Sequence, residues 1–419
     1  MIFLIGATLP LIDLWRWWAF HHRDQKGYYE QRADWSAPYR GGIDFSVFVY
    51  RDRNRDGRLD LGDRPMAAVA VEMTDPHGHK TVQRSNLSGF TNFLMSVSQR
   101  KAVIRAPGRY SFRVIVPAGW TVTSGNATQS TTFEPRPGAP ADLIARNPTL
   151  PIGLAPELFI AGRVVTRNAG GASVPAAHSA LWATNPGGER IGVTLGDSAT
   201  FKIPAAQGLW QLSAEETGTG KHVERKVLVR DVPVRVSAIV LGEQDREAVT
   251  QPAAARVTVD FESITGTPVA KIPSGVAGVN WNYLNAIEVV FAEAEGYANT
   301  VTSGHYVGYS SSGHPVTISR PEGFDFFGAY FGVALPQAEG ETLQVQAFRA
   351  GKEVGGDEIP LSFLGPVWFD ADYRDVDQVV LTTLHYWQFV TDDMVIGLRE
   401  ATPADVRPPA FAPVVTPSR

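Results

Sequence analysis

Residues 52–63 read Asp52-Arg53-Asn54-Arg55-Asp56-Gly57-Arg58-Leu59-Asp60-Leu61-Gly62-Asp63. Oxygen-bearing side chains stand at loop positions 1, 3, 5, 9 and 12, with glycine at position 6. Calcium is a hard cation that takes about six to eight oxygen ligands, and this spacing wraps a single ion. Gly57 permits the sharp turn that a side chain would obstruct. Arg58, at position 7, would offer its backbone carbonyl. Position 12 is Asp63 where Glu is usual, so the closing ligand has a shorter reach. The expected calcium ligands are therefore Asp52, Asn54, Asp56, Arg58, Asp60 and Asp63.

The flanks decide what such an ion would do. An EF-hand has an amphipathic helix on each side. Here Asp44-Phe45-Ser46-Val47-Phe48-Val49-Tyr50 alternates and is rich in aromatic and β-branched residues, and Ala68–Met73 reads the same way. Both predict strands. The ion would pin a connection between strands, a structural role.

From here the chain resembles a known family, the calcium-binding prealbumin-like B repeats of bacterial surface adhesins. The resemblance rests on strand, calcium loop, Pro65 and Val-rich strand in that order. Ser88-Gly89-Phe90 then stands at a Gly-aromatic turn. Pro107-Gly108-Arg109-Tyr110-Ser111-Phe112-Arg113-Val114 matches a Pro-Gly-x-Tyr-x-Phe strand, and Pro117-Ala118-Gly119-Trp120 a closing Pro-x-Gly-aromatic turn. It covers about residues 41–127 and implies a calcium-rigidified extracellular spacer, not an enzyme.

The chain has 419 residues, room for several domains, with 38 basic and 43 acidic side chains. That near balance indicates no nucleic-acid partner. Cysteine is absent, which excludes disulfides, zinc–thiolate sites and thiol nucleophiles. Forty glycines and 29 prolines among many Val, Thr and Phe residues fit short strands and tight turns.

Residues 1–40 form an apolar, aromatic arm. The run Ile2–Ile12 is interrupted by Asp13 and Arg16 before it reaches a membrane-spanning length. Its positive charges follow the apolar run, the reverse of a signal peptide. Trp15, Trp17 and Trp18 suit a membrane interface or a protein partner. Three readings stand side by side: an interfacial anchor, a segment docking into a larger assembly, and a mis-set start.

Residues 41–150 hold the first sandwich and its linker. Residues 151–245 contain short candidate strands at 158–165, 180–183, 199–203, 209–214, 223–229 and 234–241. That density predicts an immunoglobulin-like or prealbumin-like sandwich. Its lone His178 and His222 read as ordinary residues. The third domain, 253–399, opens at Arg256–Glu262 and contains Gly278-Val279-Asn280-Trp281, Phe324-Asp325-Phe326 and Phe389-Val390-Thr391-Asp392-Asp393. In that order these resemble secreted jelly rolls related to galactose-binding and carbohydrate-binding modules. The resemblance implies a second calcium site at Glu262 with Asp392 or Asp393. Residues 400–419, rich in proline and without periodicity, are expected to be a disordered tail.

Sugar recognition needs exposed aromatic faces beside polar groups. The candidates are Trp281, Asn282, Tyr306 and Trp387, with Tyr283, Asn285, His305, Tyr309 and Tyr386 around them, while Phe324, Phe326 and Phe331 read as core. Nucleophile elbows, HExxH, Walker loops and Rossmann glycines are absent from the sequence. The expectation is an all-β chain of three tandem β-sandwich domains (prealbumin/Ig-like, Ig-like, jelly roll). It would be a non-catalytic bacterial protein, secreted or at the cell surface and associated with the membrane if the arm anchors it. It would use calcium as its cofactor and bind a polysaccharide or a protein partner. The rival expectation is an accessory subunit of an envelope assembly that works through its terminal arms.

Overall fold

The computed structural model describes residues 44–398 apart from 96, 98–100, 170, 197, 243–254, 263, 265 and 293. Strands dominate, and the chain divides into two units, Met1–Glu157 and Leu158–Arg419. Trp15, Trp17, Trp18 and the residues from 399 onward lie outside the described residues. No helix among the described residues is long and apolar enough to cross a membrane.

In the first unit, Asp44–Arg51 lies centrally in one sheet. It pairs antiparallel with Phe90–Leu94 and Arg64–Pro65, and parallel with Ile152–Pro156. The facing sheet runs Lys80–Arg84, Ala70–Thr74, Gly108–Ile115, Thr128–Arg136, Ala139–Ala145. Alternation aims Val71 and Met73, and Tyr110, Phe112 and Val114, into the space between the sheets. The Phe45 ring meets Phe112 and Phe133 there, each at 5.0 Å between ring centres. A second apolar cluster of Phe48, Tyr50 and Phe90 is capped by Leu59 from the Asp-rich loop. Position 8 of the loop thus anchors it to the sandwich.

In the second unit, the four-stranded antiparallel sheet Arg190–Val193, Ser179–Thr184, Gly208–Glu216, His222–Val229 packs on Phe159–Arg167 and its partners. The core between them contains Ile160, Phe201, Leu181, Trp210, Leu212 and Val227. Val234–Val236 pairs parallel with Phe159–Arg167 on one side and with Val367–Thr383 on the other. The sheet therefore continues into the carboxy-terminal strands. These include the long bulged pair Val316–Val333 and Val367–Thr383, flanked by Phe389–Leu398, Tyr306–Ser310 and Leu284–Glu288. Phe324, Phe326, Phe331, Phe369 and Phe389 are fully buried among them. Glu295–Thr300 is a short helix.

Candidate functional site

The Asp-rich loop is organised around its two end carboxylates. Asp52 is 1% exposed and Asp63 5%. Asp52 accepts the backbone N–H of Arg55 at 2.7 Å and of Gly57 at 2.9 Å. Asp63 accepts those of Arg53 at 2.9 Å and Asp60 at 3.1 Å. Asn54, Asp56 and Asp60 each accept the N–H two residues on, the local turn bonding that short polar side chains favour. Gly57 has φ 75°, and a Cβ there would sit 2.7 Å from the Thr123 carbonyl oxygen. Glycine is required at that position.

Burial, opposed by the Arg53 and Asp60 donors and reinforced by the charges of Asp60 and Asp52, pushes the Asp63 carboxyl up to about 6. Burial, followed by the loop's four carboxylates led by Asp52, raises the Tyr50 phenol as well. Among the described residues, no three His, Cys, Asp or Glu side chains gather as a metal-ligand set. The donor chemistry nonetheless suits a hard divalent cation. A carboxylate has about four lone-pair sites, so Asp52 and Asp63 keep acceptor capacity beyond their two N–H bonds. Asn54 and Asp56 are exposed. A divalent ion would also offset the charge that the buried phenol and carboxyls register.

Glu262, Asp392 and Asp393 are gathered on one short segment, Thr302–Tyr306. Asp392 is fully buried and accepts the N–H of Thr302 at 2.7 Å and of Ser303 at 3.1 Å, together with the Thr302 hydroxyl at 2.9 Å. Asp393 accepts the Ser303 hydroxyl and shares the single Thr302 hydroxyl hydrogen with Asp392. Glu262 accepts the N–H of His305 at 2.5 Å and of Tyr306 at 2.6 Å. Burial, and then the neighbouring Asp393 charge, push the Asp392 carboxyl up to about 7. In this structure the three carboxylates pin the segment through hydrogen bonds.

A group of exposed aromatics lies at one end of the carboxy-terminal layers. Tyr283 is 44% exposed and stacks on the exposed His314 ring at 4.7 Å. The Tyr283 carbonyl accepts the Ser311 N–H at 2.8 Å, which fixes the turn leading to His314. Gly313 in that turn lies so close to the Tyr386 carbonyl that a Cβ would collide with it. Tyr386 is 69% exposed, beside exposed Leu384. His385 pairs with buried Glu341 at 3.1 Å, and the Thr383 hydroxyl bonds the Trp387 carbonyl at 2.7 Å. Tyr283, Ser312 and Tyr386 all have positive φ. Non-glycine residues are held there only where the surroundings over-determine them, so the loops are braced.

Of the sequence candidates, Asn282 is exposed and Trp387 half-buried near this end. Trp281 is a correction. It is 4% exposed and donates its Nε1 hydrogen to the Val276 carbonyl, so its ring is core and not a platform. Tyr306 lies about 13 Å away along its strand from the Ser310 end, with its hydroxyl 3.5 Å from Glu288. His314 and Leu384 were not anticipated. Their signal lies in the contact between loops, which no local pattern encodes.

No family model matches the chain, and no curated protein matches it. Among solved structures it is similar to the Bacillus anthracis TIE protein, at 9% identity, 81% of this chain, 44% of that one and a TM-score of 0.20. The CBM51-2 and INT domains of Clostridium perfringens ZmpB, in complex with GlcNAc, match at 10% identity, 57% and 48% coverage and a TM-score of 0.24. The pilus adhesin SpaC of Lactobacillus rhamnosus GG matches at 12% identity, 45% and 26% coverage and a TM-score of 0.16. The chain spans less than half the length of each. Likeness at this level assigns neither family nor function.

Proposed function

We propose that this is a non-catalytic, calcium-stabilised protein of the cell surface or the secreted space whose second unit binds carbohydrate at its aromatic end. The observation that carries the reading is the grouping of exposed Tyr283, His314 and Tyr386 on braced loops. Aromatic rings cover the apolar face of a pyranose, and neighbouring polar groups such as Asn282 and His385 bond its hydroxyls. Rings that are already held in place lose little freedom on binding. Calcium in the Asp52–Asp63 loop stiffens the first unit, which acts as a spacer. A non-catalytic role accords with two carboxylates of the second unit being tied up structurally, Asp370 by Arg225 and Asp392 by Thr302 and Ser303.

The test is a glycan array probed with the full chain and with Tyr386→Ala. Because Val234–Val236 is a strand of the same sheet as Val367–Thr383, cutting the chain near residue 250 would strip a sheet edge, so the full chain is the right probe. Retention on a polysaccharide that weakens in the variant supports the reading. Retention on no glycan, or retention indifferent to Tyr386, overturns it.

A further inference from the structure

The second unit contains another cleft, of about 640 Å3, lined on one side by the four-stranded sheet and on the other by the carboxy-terminal strands. None of Tyr283, His314 or Tyr386 lines it. Its size suits one or a few sugar rings. Two guanidinium groups lie over the Phe327 ring, Arg256 at 4.0 Å and Arg374 at 4.4 Å. They differ in what else they touch. Arg374 is paired with Asp372 at 2.5 Å and with Asp325 at 3.5 Å. Arg225, deeper in the cleft, is paired with Asp370 at 3.0 Å. Arg256 is exposed and forms no direct ion pair among the described residues, its charge reaching Asp370 only at longer range. A guanidinium lying over a ring keeps its in-plane N–H donors at its edge, where they match a carboxylate in bidentate fashion. Facing it across the cleft, Lys226 and Arg230 are exposed, and both line it. Apolar surface comes from exposed Leu228 and half-buried Trp368.

We propose that this cleft is a second binding site, for a uronate-bearing glycan, with the sugar carboxylate on Arg256 and the ring against the Leu228–Trp368 surface. The proposal rests on the reading of the second unit as glycan-binding and adds the charge of the ligand. The whole chain carries a net charge of −5, so general attraction does not draw a polyanion to it. The lining also holds the carboxylates Glu224, Asp370, Asp372 and Asp393. Selection therefore has to come from Arg256, Lys226 and Arg230, which form no direct ion pair among the described residues, and the hydroxyl and amide groups of Thr258 and Gln211 that also line the cleft suit a polyhydroxylated ligand.

The experiment is isothermal titration of the full chain with short oligogalacturonate and with its methyl ester, which keeps the rings and removes the charge. The acid is expected to bind and the ester to bind at least about tenfold more weakly, since a charge-assisted hydrogen bond contributes that much. Arg256→Gln should weaken the acid by a similar factor and leave the ester unchanged. Arg230→Gln serves as a second variant, and matching melting curves establish that both variants fold. Tyr386→Ala should leave acid binding intact. Equal affinity for acid and ester, no effect of either arginine variant, or equal binding of polyglutamate would overturn the proposal. If neutral glycans still bind through Tyr386 while oligogalacturonate does not bind, the second site fails and the aromatic end stands.

Discussion

Removing calcium should destabilise the first unit by an amount that depends on pH, and the direction follows from Asp63. In the ion-free protein burial pushes its carboxyl up to about 6, against about 3.9 in an unfolded chain. A higher value in the folded state means that the native state binds the proton more tightly. The ion-free unit therefore has this contribution in full below about pH 4 and loses it as the pH rises through about 6. The gap corresponds to about 3 kcal/mol at most. Calcium requires the ionised carboxylate, so it binds poorly in acid and well above about pH 6. At free ion about a hundred times Kd it adds about 2.7 kcal/mol, or about 10–20 °C in Tm for a domain of this size. The assay is calorimetry of the full chain in resin-depleted buffer with and without added calcium, at about pH 5 and about pH 7.5. The first-unit transition should separate widely at the higher pH and hardly at all at the lower. Asp63→Asn should abolish both the calcium response and its pH dependence. A first-unit Tm indifferent to calcium at about pH 7.5 would exclude a calcium site closed by Asp63, as would a larger calcium effect in acid.

Gly57→Ala forces a side chain into φ 75° and against the Thr123 carbonyl. It should cost about 1–3 kcal/mol, read by denaturant melts, and it also identifies which transition belongs to the first unit. Arg225 donates to the Asp370 carboxylate at 3.0 Å and to the Ser237 hydroxyl at 2.9 Å, holding the four-stranded sheet to its neighbour. Arg225→Ala takes the cation from Asp370, whose side chain is only half-buried, and should lower second-unit stability by about 1–3 kcal/mol, measured by chemical denaturation. Asp392, pushed up to about 7 by burial and Asp393, stabilises in acid and loses that contribution as the pH rises through about 7. The second-unit Tm of the wild type should thus fall between about pH 5 and about pH 8, and Asp392→Asn should flatten that slope while lowering stability throughout.

The β character and the position of the loop between strands were legible because alternation and turn residues are local signals. Phe45–Tyr50 and Gly108–Val114 read correctly for that reason, and so did the middle strands over 180–183 and 209–214. Leu59 carries no local signal, since its value lies in reaching Phe48, Tyr50 and Phe90 across the fold. Trp281 alternates inward between exposed Asn280 and Asn282, a parity that its polar neighbours concealed. Tyr283 follows with positive φ, breaking the alternation and turning its ring outward. The parallel register of Val234–Val236 on Val367–Thr383 joins segments more than a hundred residues apart, and no composition or periodicity announces it. The aromatic end shares that origin. Three loops distant in sequence build it, and only their packing brings the rings together.

Carbohydrate binding at the aromatic end is read from the affinity of the full chain for the best neutral glycan from the array before and after the paired substitution Tyr283→Ala/Tyr386→Ala. A loss of about tenfold or more is expected, since each ring contributes on the order of 1 kcal/mol or more of apolar contact, with the melting curve unchanged. Unaltered affinity in a folded double variant would contradict it.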